Sequence, residues 1–423
     1  MTLFRRFVLS LSLLLVMSVA CSGPDEIVVS PTVSAMPPQG TVSQTEPSPA
    51  AAVATAKPTP TAIAISGFQV RAEVVASNLV VPWAMAFTTR LPASNKQAET
   101  GTYLFVTERP GRLRLIVDGR LLPDPVAVFP AAPTDEGGLL GLTLDPHFEQ
   151  NGHLYVMYTY QDQAGIHNRI SRLTLQGLKA GSEKVLLEGI PAGPIHDGGR
   201  LKFGPDGKLY ATTGDTTHGD LAQRLDSLAG KILRLNADGS IPSDNPFRGS
   251  PIYSYGHRNP QGLAWQPGTG ALFETEHGPS AGVEGDTCCH DEINRILPGG
   301  NYGWPIVFTI AHDPRFIDPV LESGTDTWAP SGVAFYSGDL LKLWQGNLFF
   351  GALRGHHLHR LVLGGPKMDQ VTGEERLFAE EFGRIRDVAV GPDGALYFST
   401  SNRDNRWPSA PDDDHIFRVV PAT

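Results

Sequence analysis

Cysteine is scarce in this chain: three residues in 423, Cys21 near the N-terminus and the neighbours Cys288 and Cys289. The pair is followed directly by His290, so the Cys-x-x-Cys-His signature of covalent haem attachment is absent. Runs of Lys and Arg are also missing, and the formal net charge is −10, which argues against nucleic-acid binding. No uninterrupted apolar run reaches the roughly 20 residues a spanning helix needs. No long stretch carries the 3.6-residue apolar period, which excludes a helical bundle. Glycine (46) and proline (35) are abundant and punctuate the chain into short segments.

The first segments are not fold. Arg5 and Arg6 precede an apolar run from Phe7 to Met17, and Ser18-Val19-Ala20-Cys21 follows. A charged head, a short apolar core and small residues at the cut make residues 1–20 an expected signal peptide. Cys21, directly after the small residues, is the expected lipidated N-terminus, so the protein is expected to be exported and held at a membrane only by that anchor. Residues 21–66 are rich in Pro, Ser, Thr, Ala and Val, as in Pro58-Thr59-Pro60-Thr61. Such a stretch buries too little apolar surface to order itself, and reads as an extended tether. The folded part is then expected over 67–423.

Within it one phrase recurs: alternating apolar residues, a turn built from Pro, Asp and Gly, then alternation again. Leu201-Lys202-Phe203-Gly204-Pro205-Asp206-Gly207 leads to Lys208-Leu209-Tyr210-Ala211, and Val388-Ala389-Val390-Gly391-Pro392-Asp393-Gly394 leads to Ala395-Leu396-Tyr397-Phe398. Looser versions begin at Leu142 and Leu263. Each is a hairpin whose Pro fixes φ and whose Gly supplies a positive φ. The phrases lie 59 residues apart from Asp145 to Gly204, 62 from there to Gln266, and 125, two further units, to Gly391. Units of about 60 residues over the folded part make six. A four-stranded blade needs about 40–50 residues, which leaves a surplus for long loops. The fold class expected is all-β, a six-bladed β-propeller of four-stranded antiparallel blades, with functional loops round the mouth of its channel.

Several ionisable residues stand beside glycines at the ends of these strands, where a rigid scaffold presents loops. Ile195-His196-Asp197-Gly198-Gly199 is followed, one hairpin later, by Gly214-Asp215. A His can take a proton from a hydroxyl, and a carboxylate can fix its tautomer; equally, both residues can cap turns. Arg258 and Asn259, after Gly256-His257, set a cation beside an amide, suited to an anion or to stabilising a turn. Arg354, Arg384 and Arg386 extend the pattern, and the last two, spaced by two on an expected strand, share a face. Together the arginines suit a polyanionic small molecule; singly, each suits a solvated surface. Glu276-His277-Gly278-Pro279 opens a loop reaching Asp291-Glu292 and Asn301-Tyr302-Gly303-Trp304-Pro305. Carboxylates with backbone carbonyls suit Ca²⁺, an ion of six to eight oxygen ligands. Zinc on His277, His290 and the cysteines is disfavoured, because adjacent cysteines chelate a tetrahedral ion poorly; a vicinal disulfide is the expectation in an oxidising compartment.

Taken in order over about residues 70–420, these stretches, with Val81-Pro82-Trp83-Ala84 and Glu136-Gly137-Gly138-Leu139-Leu140-Gly141, resemble the soluble pyrroloquinoline-quinone-dependent sugar dehydrogenases of the aldose and glucose dehydrogenase type. The resemblance implies oxidation of an aldose at C1 to a lactone, with hydride passing to a Ca²⁺-bound pyrroloquinoline quinone and then to an external acceptor. It implies His196 as general base, Asp215 as its orienting partner and Arg258 beside the reacting carbon. It assigns Asn259, His277, Arg354, Arg384 and Arg386 to the cofactor, with Arg354 where the family usually has Lys. The carbonyls of Gly278 and Pro279 are implied ligands of the Ca²⁺ that also binds the quinone, and Glu292 with the Tyr302 carbonyl a second calcium site. Glu136 departs from the family's usual Gln, and the loop from Ser280 to His290 is long. A calcium-dependent propeller lactonase would need carboxylates and Asn round one metal instead of arginines, and a non-catalytic binding propeller would lack the His/Asp/Arg set.

Overall fold

The computed structural model describes residues 63–65, 68–92, 100–132, 134–280 and 288–422. The expected leader, Cys21 and most of the tether lie outside them. Six antiparallel sheets follow one another along the chain. Their innermost strands are Pro82–Arg90, Leu139–Leu144, Leu201–Phe203, Asn259–Trp265, Pro330–Phe335 and Ile385–Val390. Each touches the innermost strand of the next sheet, and the last touches the first, so the sheets close into a ring. This is the six-bladed propeller, numbered here as blades 1 to 6 in that order.

Ring closure is made inside blade 6. Its two inner strands come from the C-terminal region, Ile385–Val390 and Leu396–Thr400, with Ile416–Pro421 next. The following strand, Phe68–Ala76, comes from the start of the fold and pairs antiparallel with Ile416–Pro421, Val70 opposite Pro421. A short strand within the stretch expected as tether, Ile63–Ile65, folds back on Phe68–Val70.

The apolar runs in the middle strands follow from this geometry. Successive side chains of a strand face opposite sides of the sheet, and here both sides face a neighbouring blade. In Leu348–Ala352, Leu348 and Phe350 pack towards blade 4 while Phe349 packs among residues of blade 6. Six buried apolar clusters result, one for each junction between neighbouring blades. Each fully buried Leu or Phe contributes about 1.5–3 kcal/mol, so closure is held by every junction. The recurring hairpins are present: Leu201–Phe203 pairs with Leu209–Thr213, and Val388–Val390 pairs with Leu396–Phe398. Gly207 (φ 68°) and Gly394 (φ 77°) take the left-handed turn positions.

Candidate active site

His196, Arg258, Ala329 and Arg384 each stand just ahead of an innermost strand, so they meet at one end of the channel. There a cavity of about 340 Å³ is lined by His196, Arg258, His277, Gly278, Pro279, Arg354, Arg384 and Arg386, all expected from the sequence. Glu136, Asp291 and Arg406, to which the sequence alone assigns a weaker role or none, line it too.

His196 is held at its ring and at its backbone. Its Nδ1 lies 2.8 Å from Asp215 Oδ1. Its backbone N–H donates to Glu136 Oε2 at 3.0 Å. Its own φ of 62° is one that side chains rarely adopt, a strain that marks a position fixed by its surroundings. The turn is tight: a Cβ on Gly214 would sit 1.9 Å from the His196 carbonyl oxygen, so only glycine fits before Asp215. Asp215 is itself anchored, its Oδ2 accepting from Trp304 Nε1 at 2.8 Å and its Oδ1 from the Thr217 amide at 2.9 Å. Although burial pushes its carboxyl upward, His196 and Arg258 hold it below the usual carboxylate range. An anionic Asp215 on Nδ1 leaves Nε2 as the basic nitrogen for the cavity.

Arg258 is buried, stacks over Trp304 at 5.4 Å and donates to the His277 carbonyl at 3.2 Å. Asn259 lies behind this layer: its Oδ1 accepts from the Gly198 amide at 3.1 Å, and its Nδ2 lies 3.3 Å from His277 Nδ1. Burial drives His277 down to about 3, so it is neutral. With Nδ1 accepting, its Nε2 carries the proton, and that buried atom has no partner among the described residues. Arg386 donates to Gln261 Oε1 at 2.6 Å, yet its buried Nε is also unpartnered among the described residues, and burial lowers the guanidinium to about 9. Arg384 pairs with Asp404 at 2.8 Å, and Arg354 is exposed at the rim.

The mouth carries an ion pair absent from the sequence-based expectations. Arg406 binds Glu136 at 2.7 Å and Asp135 at 2.8 Å. Burial pushes Glu136 upward, but Arg406, His196 and His277 bring it to about 2. No local signal links residues 270 apart.

On the other wall, Gly278 donates to Asp291 Oδ1 at 2.9 Å, and Asp291 Oδ2 accepts from the amides of Trp328 and Ala329. Cys288 and Cys289 are joined as a disulfide, and Cys288 borders the cavity. Residues 281–287 of the long loop lie outside the described residues.

Glu292 and Tyr302 do not line this cavity. Glu292 is buried in blade 4, where Asn294 Nδ2 donates to it at 3.1 Å. The Tyr302 hydroxyl donates to the Arg295 carbonyl, and its ring stacks on His257 at 4.6 Å. Nearby, His257, Glu274 and Glu276 form a buried group whose ligand atoms lie within 4.8 Å of one another. Burial raises Glu276 to about 8. In the sequence Glu276 reads only as the start of a loop.

A propeller whose channel mouth combines a carboxylate-held histidine with converging arginines brings a group able to accept a proton beside cations able to bind an anion. Known proteins place it further: residues 79–408 match the model of the glucose/sorbosone dehydrogenase family, and the chain belongs to that family, one of sugar oxidoreductases. It is 35% identical over 354 residues to the aldose sugar dehydrogenase of Escherichia coli, covering 78% of this chain and 90% of that one. A Thermus thermophilus structure described as a glucose dehydrogenase superposes with a TM-score of 0.73 at 44% identity, over 83% of this chain and all of the other. The pyrroloquinoline-quinone-bound aldose sugar dehydrogenase of Streptomyces coelicolor gives 0.70 at 35% identity, over 86% of this chain and all of that one.

Proposed function

We propose that the protein oxidises an aldose at its anomeric carbon to the lactone, with pyrroloquinoline quinone and Ca²⁺ as cofactors and an external electron acceptor. One observation carries this: His196, with Nδ1 fixed on Asp215, lines the same cavity as Arg258, Arg384 and Arg386. The cavity suits the quinone. Its buried unpartnered donors, His277 Nε2 and Arg386 Nε, call for acceptors, and its arginines call for carboxylates. The carbonyls of Gly278 and Pro279 are hard oxygen donors of the kind Ca²⁺ takes. The solved Streptomyces relative is a quinone-bound form, which supports the same assignment.

When bound, the quinone supplies the hydride acceptor and Ca²⁺ the Lewis acid that polarises it. The chain's own residues do the rest. His196 Nε2 takes the proton of the anomeric hydroxyl, and Asp215 stabilises the imidazolium that forms. Arg258, stacked on Trp304, places a fixed cation beside the reacting carbon. His277, Arg354, Arg384 and Arg386 hold the cofactor, with Asn259 behind them steadying His277. The Glu136–Arg406 pair closes the wall on the His196 side and sets a charged group where the sugar enters. Glu292 with the Tyr302 carbonyl is proposed as a second, structural calcium site. Export, with residues 1–20 as leader and Cys21 as lipid anchor, completes the proposal.

The test is reconstitution. Metal-free protein is mixed with pyrroloquinoline quinone, with and without Ca²⁺, and aldose-dependent dye reduction and product are measured. Activity only with both additions, giving lactone, is expected. Hydrolysis of added lactone, with no aldose-dependent reduction, would contradict the proposal.

A further inference from the structure

The ring encloses a second cavity that the proposed reaction does not use. It lies at the opposite end of the channel, where the innermost strands finish, and measures about 710 Å³. Every blade gives it apolar side chains, those at the strand ends being Phe87, Leu144, Phe203, Trp265, Phe335 and Val390. This collar repeats because each lies at or near the last residue of an innermost strand.

A charged septum separates the two chambers. Arg200 of blade 3 reaches across to Asp387 of blade 6 at 2.9 Å. Arg200 also stacks on Trp83 at 4.4 Å and donates to the Gln261 carbonyl at 2.8 Å. Asp387 accepts from the Met85 amide at 2.8 Å. Arg386 lines the first chamber and Asp387, the next residue, the second.

The second chamber is lined by two cations, Arg200 and Lys202, and two carboxylates, Asp387 and Asp145. Asp387 is neutralised by Arg200. Asp145 turns into its own loop, accepting from the Tyr155 hydroxyl and the His147 amide, both at 2.9 Å. That leaves Lys202, half-buried and lining the chamber, its ammonium without an ion-pair or hydrogen-bond partner among the described residues. Burial holds it below the usual lysine range, opposed by Asp387 and helped by Arg200. Nη2 of Arg200, in a side chain over nine-tenths buried, is unpartnered as well. A buried donor without an acceptor is costly, and a bound carboxylate supplies the acceptor.

We propose that this chamber binds a small amphipathic monocarboxylate, its apolar body inside the six-residue collar and its carboxylate on Lys202 beside Arg200. Two donors without partners among the described residues, Lys202 Nζ and Arg200 Nη2, suit a single carboxylate, where the arginine-lined mouth suits a polyanion. The volume falls in the range of small-ligand pockets, about 300–1,000 Å³. The site is independent of the proposed dehydrogenase reaction.

Octanoate and uncharged 1-octanol are titrated calorimetrically into the full chain and its variants. Octanoate is expected to bind one per chain. Lys202→Met should weaken it roughly ten- to a hundredfold, the range for losing a charged hydrogen bond, and leave octanol unchanged. Lys202→Arg, which keeps the charge, should retain octanoate, so a folding defect in the methionine variant would not hide the effect. Val390→Trp, which fills the collar, should abolish binding of both ligands. Arg384→Gln, in the other chamber, should leave octanoate binding unchanged. No octanoate binding to the wild type, equal binding to Lys202→Met, or loss on Arg384→Gln would overturn the proposal.

Discussion

Replacing Asp215 by Asn tests the His196 assignment at the level of single atoms. In the native site three donors converge on the two carboxylate oxygens: His196 Nδ1 and the Thr217 amide on Oδ1, Trp304 Nε1 on Oδ2. An amide has one oxygen, so one side must face an N–H. If the amide nitrogen faces His196, the ring holds its proton on Nε2 and cannot act as base. If it faces Trp304, the tautomer survives, but the anion that stabilises the imidazolium is gone. A hydrogen bond to a charged group contributes about 1.5–3 kcal/mol. At about 1.36 kcal/mol per tenfold in rate, turnover should fall roughly ten- to 150-fold. His196→Ala should fall further, by about 10²–10⁴. Steady-state oxidation of several aldoses at saturating quinone gives the rates, quinone titration gives affinity, and thermal melts check the fold. Wild-type turnover in a folded Asp215→Asn protein would refute the orienting role, as would a loss explained wholly by weaker quinone binding.

Arg386→Met should weaken quinone affinity by roughly tenfold or more while turnover at saturating quinone persists, because the guanidinium serves the cofactor and not the proton; titration of the variant decides it. Glu136→Gln should be destabilising near neutral pH. The native carboxyl sits at about 2 against a reference of 4.5, so its contribution, about 3 kcal/mol at most, is present above pH 4.5 and lost as pH falls towards 2. Melting curves of the two proteins should separate at pH 7 and converge near pH 2; a constant gap would contradict the ion pair with Arg406. Gly278→Ala should lower the melting temperature and remove the effect of Ca²⁺ on quinone binding, since a Cβ there would lie 2.0 Å from the Cys289 carbonyl oxygen; calcium titrations of wild type and variant would show it.

What can be read from the sequence is local. The Gly-Pro-Asp-Gly turns at 204–207 and 391–394 announce hairpins because their chemistry is complete within four residues. The spacing of those turns carries the blade count, and the glycine-flanked His196, Arg258 and Gly278 mark loop ends where the scaffold presents side chains. What stays hidden depends on ring closure. Trp304 reaches Asp215 from 89 residues away, Arg406 reaches Glu136 from 270, and Arg200 meets Asp387 across the channel. None of these pairs shares a strand or a turn, and no periodicity joins them. The Phe68–Ala76 strand likewise looks like the start of a first blade, and only its pairing with Ile416–Pro421 makes it the closing strand of the sixth.

The central claim is that His196 takes a proton from a sugar in a cavity that also holds a quinone. Single-turnover spectroscopy on protein reconstituted with pyrroloquinoline quinone and Ca²⁺ tests it most directly. The account predicts that aldose bleaches the bound quinone band in the wild type, and that His196→Ala binds quinone with near-native affinity yet bleaches slower by about 10²–10⁴. Bleaching at the wild-type rate in a folded, quinone-loaded His196→Ala protein would contradict it.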